Sequence, residues 1–302
     1  RNALADQDAY SIDLQIEFLD SKKHYDQTIK QLLYELYKYK FKDERFDIII
    51  VSDNVAFDFI LEYGKELFPE TPVVFCGVND FHPDWLGGHP NFTGVLENPA
   101  MRETLELALR FHPGRRRLII FGDTSVTGVA IRNQVQAVES AFAGRLTFEY
   151  EDNLSLSEIL DRVRNLADDA MIFLIPFYKD TQKDVYSVNE VLSAIRANSD
   201  VPIYSPWQFM LGHGIVGGKL HSGVTEGRLV ADLADKILHG TPVAALPPID
   251  HTDDSYIFDY REMLRLGITT DKLPEGYTLI NEPYPFYHIN IAVFWTIIIS
   301  LL

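Results

Sequence analysis

The sequence predicts an α/β protein built on two parallel sheets. Three observations carry this. Strand-patterned segments alternate with helix-patterned ones along most of the chain, and such alternation requires right-handed crossovers between parallel strands. The alternation runs to about residue 97 and then restarts, which implies a second sheet. The 302 residues are enough for two lobes of about 100–150 residues each.

Ile12, Leu14, Ile16 and Phe18 alternate with polar neighbours, as in a half-buried strand. Tyr25, Ile29, Leu32, Leu33, Leu36 and Tyr37 then recur at helical spacing. Phe46–Val51 is a short apolar run closed by Asp-Asn, the pattern of a parallel strand buried on both faces. Val55–Leu67 reads as a helix stopped by Pro69, and Pro72–Cys76 as another buried strand ending at Gly77. After a loop rich in Pro, Gly and His, Phe92–Leu96 is a short strand. Asn98-Pro99 then opens a helix to Phe111, with Pro where a first turn tolerates it. In the second series the expected strands are Leu118–Phe121, Leu146–Tyr150, Ala170–Ile175 and Pro202–Tyr204. The expected helices run to about Ala143 and over Ser155–Leu166, Val185–Ala197 and Gly223–Leu238, the last closed by Gly240 and Pro242.

Composition narrows the function classes. The net charge is −17 and the one basic cluster is Arg115-Arg116-Arg117, read as a solvated lead into a strand. Nucleic-acid binding needs a basic face, so it is excluded as a partner class. The single cysteine, Cys76, excludes an intramolecular disulfide and any multi-cysteine metal site. There is no G-x-S-x-G, no H-E-x-x-H and no phosphate-binding G-x-x-x-x-G-K-[ST]. Gly212-His213-Gly214-Ile215-Val216-Gly217 matches G-x-G-x-x-G, but it leads into Gly218-Lys219-Leu220 and reads as a turn into a short strand rather than a dinucleotide loop. His213 and His221, eight apart and without a neighbouring acid, make a poor metal pair. No enzyme activity, cofactor or metal is expected.

Ligands of open parallel sheets bind beyond the carboxyl ends of the strands. The residues at those ends are Asp53 and Asn54, Asn79 and Asp80, Asp123 and Thr124, Tyr178, and Trp207. Together they mix carboxylates, amides and aromatic rings, a set suited to one small polar ligand. Asp53, Asn54, Asp123 and Thr124 could equally cap the helices that follow, and Tyr178 and Trp207 could equally be core. Acidic groups disfavour a multiply anionic ligand; the rings allow an amino acid, a nucleobase or a sugar.

The chain starts at Arg1 without a signal segment, and residues 289–302 carry no charge. Tyr284, Phe286, Tyr287 and His288 precede that run and Trp295 lies within it, as in an aromatic interface belt. Residues 285–302 are therefore expected to begin a transmembrane helix, with the sequence an excerpt of a longer protein. A final core element is the plainer alternative.

Several stretches together resemble the periplasmic, substrate-binding-protein-like sensor regions of bacterial membrane histidine kinases. They are Ile49–Asn54, Pro72–Asp80, Gly212–Gly218, Tyr256–Tyr260 with Leu264 and Gly267-Ile268, Leu273-Pro274, and Asn281–Pro283. No one motif decides this; their order and spacing do. The resemblance implies a type I periplasmic binding fold, two Rossmann-like lobes that close on a small molecule. It implies a first lobe of residues 1–96 plus 222–250 and a second of 97–221 plus 251–284, crossing near 96–98, 220–223 and 248–253. It also implies a periplasmic or extracellular location, a membrane anchor through the C-terminal helix, a homodimer and a kinase output outside this chain. Delivery of a solute to an ABC permease is the alternative. Such domains open with a strand and helix ahead of the Ile12–Phe18 strand; here residues 1–10 resemble only the end of that helix.

Overall fold

In the computed structural model, which describes residues 12–23, 25–283 and 286–301 (side chains of 286–292 excepted), β1 (Ile49–Ser52), β2 (Val73–Val78) and β3 (Phe92–Leu96) form a parallel sheet in that order. Both faces are covered, as the apolar runs require. Val73 and Phe75 point into a cluster with Tyr34 and Tyr37 of α1 (Gln27–Lys40), Phe41 that ends it, and Phe57, Phe59 and Ile60 of α2 (Asn54–Leu67). Val74 and Val95 point the other way, onto Val230, Leu233 and Ile237 of α7 (Gly223–Leu238). The late helix α7 thus packs on the sheet of the early strands. Residue Ile249 adds a parallel bridge to Val95 at the β3 edge.

The second sheet has the order β5-β4-β6-β7, all parallel: β5 (Thr147–Glu151), β4 (Arg117–Phe121), β6 (Ala170–Leu174) and β7 (Ile203–Tyr204). Val216 extends it, accepting from Asp259 and donating to Ile203 through the backbone, 2.9 Å each. There β8 (Gly217–Leu220) pairs antiparallel with β9 (Ser255–Asp259), and β9 pairs parallel with β10 (Thr278–Ile280). Around these strands lie α3 (Met101–Phe111), α4 (Val126–Glu139), α5 (Leu156–Arg164), α6 (Val188–Ala197) and α8 (Tyr260–Leu266). The G-x-G-x-x-G segment is a turn into β8, as its context indicates, with Gly212, Gly214 and Gly217 all at positive φ.

Local chemistry fixes the helix starts. Ser155/Glu158 and Ser187/Glu190 are full capping boxes, and Ser125 and Ser222 cap α4 and α7. The Ser187 box explains why α6 begins at Val188 and not at Val185. Residues before it close a turn around buried Asp180, whose carboxylate accepts from the backbone N–H of Gln182 and Asp184. Likewise α3 starts at Met101, not at Pro99: Ala100 takes the cap position, and Asn98 is drawn away to hydrogen-bond Asp250.

Two expectations are corrected. Residues 12–18 form no strand. A strand needs a ladder partner, and this segment meets none among the described residues; Leu14, Ile16 and Phe18 stay exposed. The arginine triplet is not simply solvated: Arg117 makes a two-point pair with Glu149 (2.6 and 2.9 Å), and Arg115 donates to the Ala170 carbonyl (2.6 Å). The helix end expected over residues 1–10 lies outside the described residues.

The C-terminal run is the helix α9 (Phe286–Leu301). Val293, Phe294, Trp295, Ile297, Ile299 and Leu301 are all exposed. Among the described residues no helix is long and apolar enough to cross a membrane.

Candidate functional site

The carboxyl ends of β1, β2, β4 and β6 face one another across the gap between the lobes. Asp53 leaves β1 at φ 82° and ψ 151°, a conformation essentially reserved for glycine. It stands at the cap position of α2 yet makes no side-chain capping bond there. Its carboxylate points across the gap instead. Thr127, in the first turn of α4, donates to Asp53 Oδ1 (2.7 Å), and Lys22 Nζ lies 2.6 Å from Oδ2. Lys22 also donates to Thr127 Oγ1 (2.8 Å) and sits 4.7 Å from the centre of the Tyr178 ring. Burial, reinforced by Asp53, pushes the Tyr178 hydroxyl up to about 12.

A second chain of contacts lies behind this cluster. Asn54 and Asn79 are buried and grip each other: Asn54 Nδ2 donates to the Asn79 carbonyl (2.8 Å), and Asn79 N–H donates to Asn54 Oδ1 (3.1 Å). Asn79 Nδ2 then donates to Glu97 Oε2 (3.0 Å), and the indole N–H of buried Trp207 donates to Glu97 Oε1 (2.6 Å). Glu97 follows directly on β3, so these bonds join it to the segments that follow β2 and β7. Burial and the neighbouring Glu226 push its carboxyl above the usual range.

Beside Glu97, His221 draws together the end of β8, the start of α7 and the segment ahead of β9. This ring is 2% exposed. Its Nδ1 lies 3.0 Å from Thr252 Oγ1 and 3.2 Å from Asp254 Oδ1, and its Nε2 lies 3.4 Å from Glu226 Oε2. Burial alone would lower its pKa, but the hydrogen bonds to Asp254 and Glu226 outweigh that and raise it to about 10. His221 is therefore an imidazolium at neutral pH. Glu226 also accepts from the Gly77 N–H at the end of β2 (2.6 Å). Nearby Cys76 is pushed up to about 12, chiefly by burial and then by Glu226, so it is a protonated thiol and no nucleophile.

The expected site residues thus fall into separate roles. Asp53 and Tyr178 meet around one ammonium. Asn54, Asn79 and Trp207 join in the network through Glu97. Asp80 reaches across the gap to Asn133 of α4 (2.8 Å). Asp123 is buried and satisfied within its own lobe, accepting from Ser125 and from the Tyr178 N–H (2.8 Å). Thr124 is exposed and Ser125, not Thr124, caps α4. Sequence reasoning missed Lys22, Thr127, Glu97, His221 and Glu226. Glu97 could have been found, because it is the residue just after a strand. Lys22 and Thr127 carried no such mark.

Beyond the lobes' gap, an open concavity of about 590 Å³ lies along α3, lined by Arg102, Glu106, Arg110, Tyr256 and Pro274. Its lining presents no convergent set of groups.

No known family model and no curated protein matches this sequence. Solved structures do match. An ABC domain from Streptococcus pneumoniae in complex with L-Trp is 17% identical, with a TM-score of 0.66 and 92% of each chain covered. An open, ligand-free substrate-binding protein with adhesive properties from Clostridium difficile is 15% identical, TM-score 0.61, over 93% of this chain and 92% of that one. A conserved domain protein from Vibrio cholerae is 13% identical, TM-score 0.60, over 86% of this chain and 90% of that one. Sequence identity this low speaks to fold alone, and the fold is the two-lobed α/β architecture of type I periplasmic binding proteins.

Proposed function

We propose that this chain is an extracytoplasmic small-molecule-sensing domain of a membrane signalling protein, a two-component sensor histidine kinase. In this reading it binds its ligand without turning it over. The observation that carries the binding reading is the convergence of Asp53 from the first lobe with Thr127 and Tyr178 from the second on a single point. A ligand that contacts both lobes favours the arrangement in which they are together, and so converts occupancy into lobe position. The uncharged helix α9, with Val293, Phe294, Trp295, Ile297, Ile299 and Leu301 exposed, supports attachment to a membrane, and the kinase output would lie outside this chain and act as a dimer. Delivery of a solute to an ABC permease is a second reading, favoured by the substrate-binding proteins among the solved structures.

Binding is tested by a thermal-shift screen of amino acids, nucleobases and sugars, followed by calorimetry. At 100-fold excess over Kd a ligand bound only by the folded chain adds about 2.7 kcal/mol of stability, a readily visible shift. Asp53→Ala and Tyr178→Ala are each expected to weaken the ligand found at least tenfold. Unchanged affinity in both variants would place the site elsewhere.

A further inference from the structure

The ammonium at the convergence point belongs to the chain itself. Lys22 lies on the turn Asp20–Lys23, closed by the bond from Lys23 N–H to the Asp20 carbonyl (3.1 Å). Lys179 of the second lobe donates its ammonium to the Lys23 carbonyl (2.9 Å), which pins this turn over the gap. The Lys22 side chain is only 25% exposed. Its charged end finds a carboxylate oxygen, a hydroxyl and an aromatic face, contributed by three elements and by both lobes. Surface lysine pairs rarely have such company: most lie in solvent beside one carboxylate. The Asp53 backbone is held in a strained conformation while its carboxylate faces this point.

We propose that Asp53, Thr127 and Tyr178 form a subsite for a primary ammonium group, and that Lys22 is its tethered internal occupant, displaced when a ligand carrying such a group enters. This deepens the binding reading above and rests on it for the identity of the gap as the ligand site. The ligand class it selects is a small primary amine, amino acids included. Sugars and neutral nucleobases lack the group that would exchange with Lys22. The tether also sets a threshold. An internal competitor lowers the apparent affinity of any cationic ligand by the fraction of time it holds the site.

Chemical rescue tests this without knowledge of the natural ligand. Lys22→Gly removes the occupant and leaves the subsite, and n-butylammonium chloride is then titrated while thermal unfolding is followed. A saturable rise in melting temperature is expected, roughly 2 °C at a few-fold excess over the dissociation constant. The wild type, Lys22→Gly/Asp53→Asn and Lys22→Met, whose stem takes the place of Lys22 without its charge, should each respond at most weakly; 1-butanol should not replace the amine. Equal effects of butanol, equal rescue in the wild type, or no rescue of a folded Lys22→Gly chain would overturn the proposal. Should Lys22→Gly not fold, acetic anhydride labelling read by mass spectrometry decides it in the wild type. Lys22 should react at least several-fold more slowly than exposed Lys23, and Asp53→Asn should abolish the difference; equal labelling of the two lysines in the wild type would overturn it. Rescue by butylammonium in a chain that binds no natural small molecule would sustain the subsite and count against the sensing function alone.

Discussion

His221 is a buried charge that needs its partners. An imidazolium between Glu226 and Asp254 is stable there because all three are buried together and each carboxylate needs it. Removing one partner of such a group leaves uncompensated charge, at a cost of about 3–5 kcal/mol. His221→Ala should therefore lower stability by about 3 kcal/mol in urea unfolding, and a second change, Glu226→Gln, should recover part of the loss. The raised pKa also fixes the pH dependence. The histidine's contribution is complete below its ordinary value of 6.5 and is lost as pH rises through about 10. Glu97, also raised, acts in the same direction, since the folded chain favours its neutral form. Other buried groups ionise in alkali as well, so the test is a difference: between pH 6 and 10.5 the wild type should lose more stability than His221→Ala. Parallel losses in the two proteins would show that His221 is not the charged group.

At the scale of elements, the first sheet depends on one close approach. Gly94 faces Phe75 across the β2–β3 ladder, and a Cβ at Gly94 would fall 2.2 Å from the Phe75 carbonyl oxygen and 2.5 Å from its ring. Phe75 cannot move freely, because its ring packs on Phe57 (4.9 Å) and Phe81 (5.3 Å). The backbone at Gly94 also receives the returning chain, accepting from Ile249 N–H (2.9 Å). Gly94→Ala should thus force strands apart and cost about 2–3 kcal/mol in equilibrium unfolding; a loss below 0.5 kcal/mol would mean that β3 shifts easily. Elements of this kind were legible where one pattern sufficed. Apolar runs bounded by Asp-Asn or Gly marked β1 and β2, and Gly240 with Pro242 marked the end of α7. Ile12–Phe18 misled because alternation states which face could be buried but not whether a partner strand is there to bury it. The site was legible only in part for a related reason. Asp53 and Tyr178 follow strands and could be read from the strand-end rule, whereas Lys22 and Thr127 act through tertiary approach, which leaves no local signature.

At the scale of the whole molecule, the sensing reading turns on how lobe position reaches α9. Residues 278–281 are held in place. β10 pairs with β9 in parallel register from Thr278↔Ile257 to Ile280↔Asp259, and Asn281 Nδ2 donates to Asp259 Oδ2 (3.0 Å) just beyond the strand. Asp259 is itself tied through Val216 to β7, so the small β8-β9-β10 sheet is joined to the second lobe's sheet. A shift of that lobe against the first must carry β10 with it. From Asn281, only Glu282 and Pro283 precede the undescribed residues 284–285 and then α9, and proline stiffens so short a link. A rigid strand feeding a helix transmits displacement; a flexible one dissipates it. Insertion of a six-residue Gly/Ser segment after Pro283 of the full-length protein should therefore leave ligand affinity within twofold, because no group around Asp53 is touched. The same insertion should abolish most of the ligand-dependent output of a reporter driven by the protein. If output survives the insertion undiminished, position of the second lobe is not the signal, and delivery of a solute becomes the better reading of this chain.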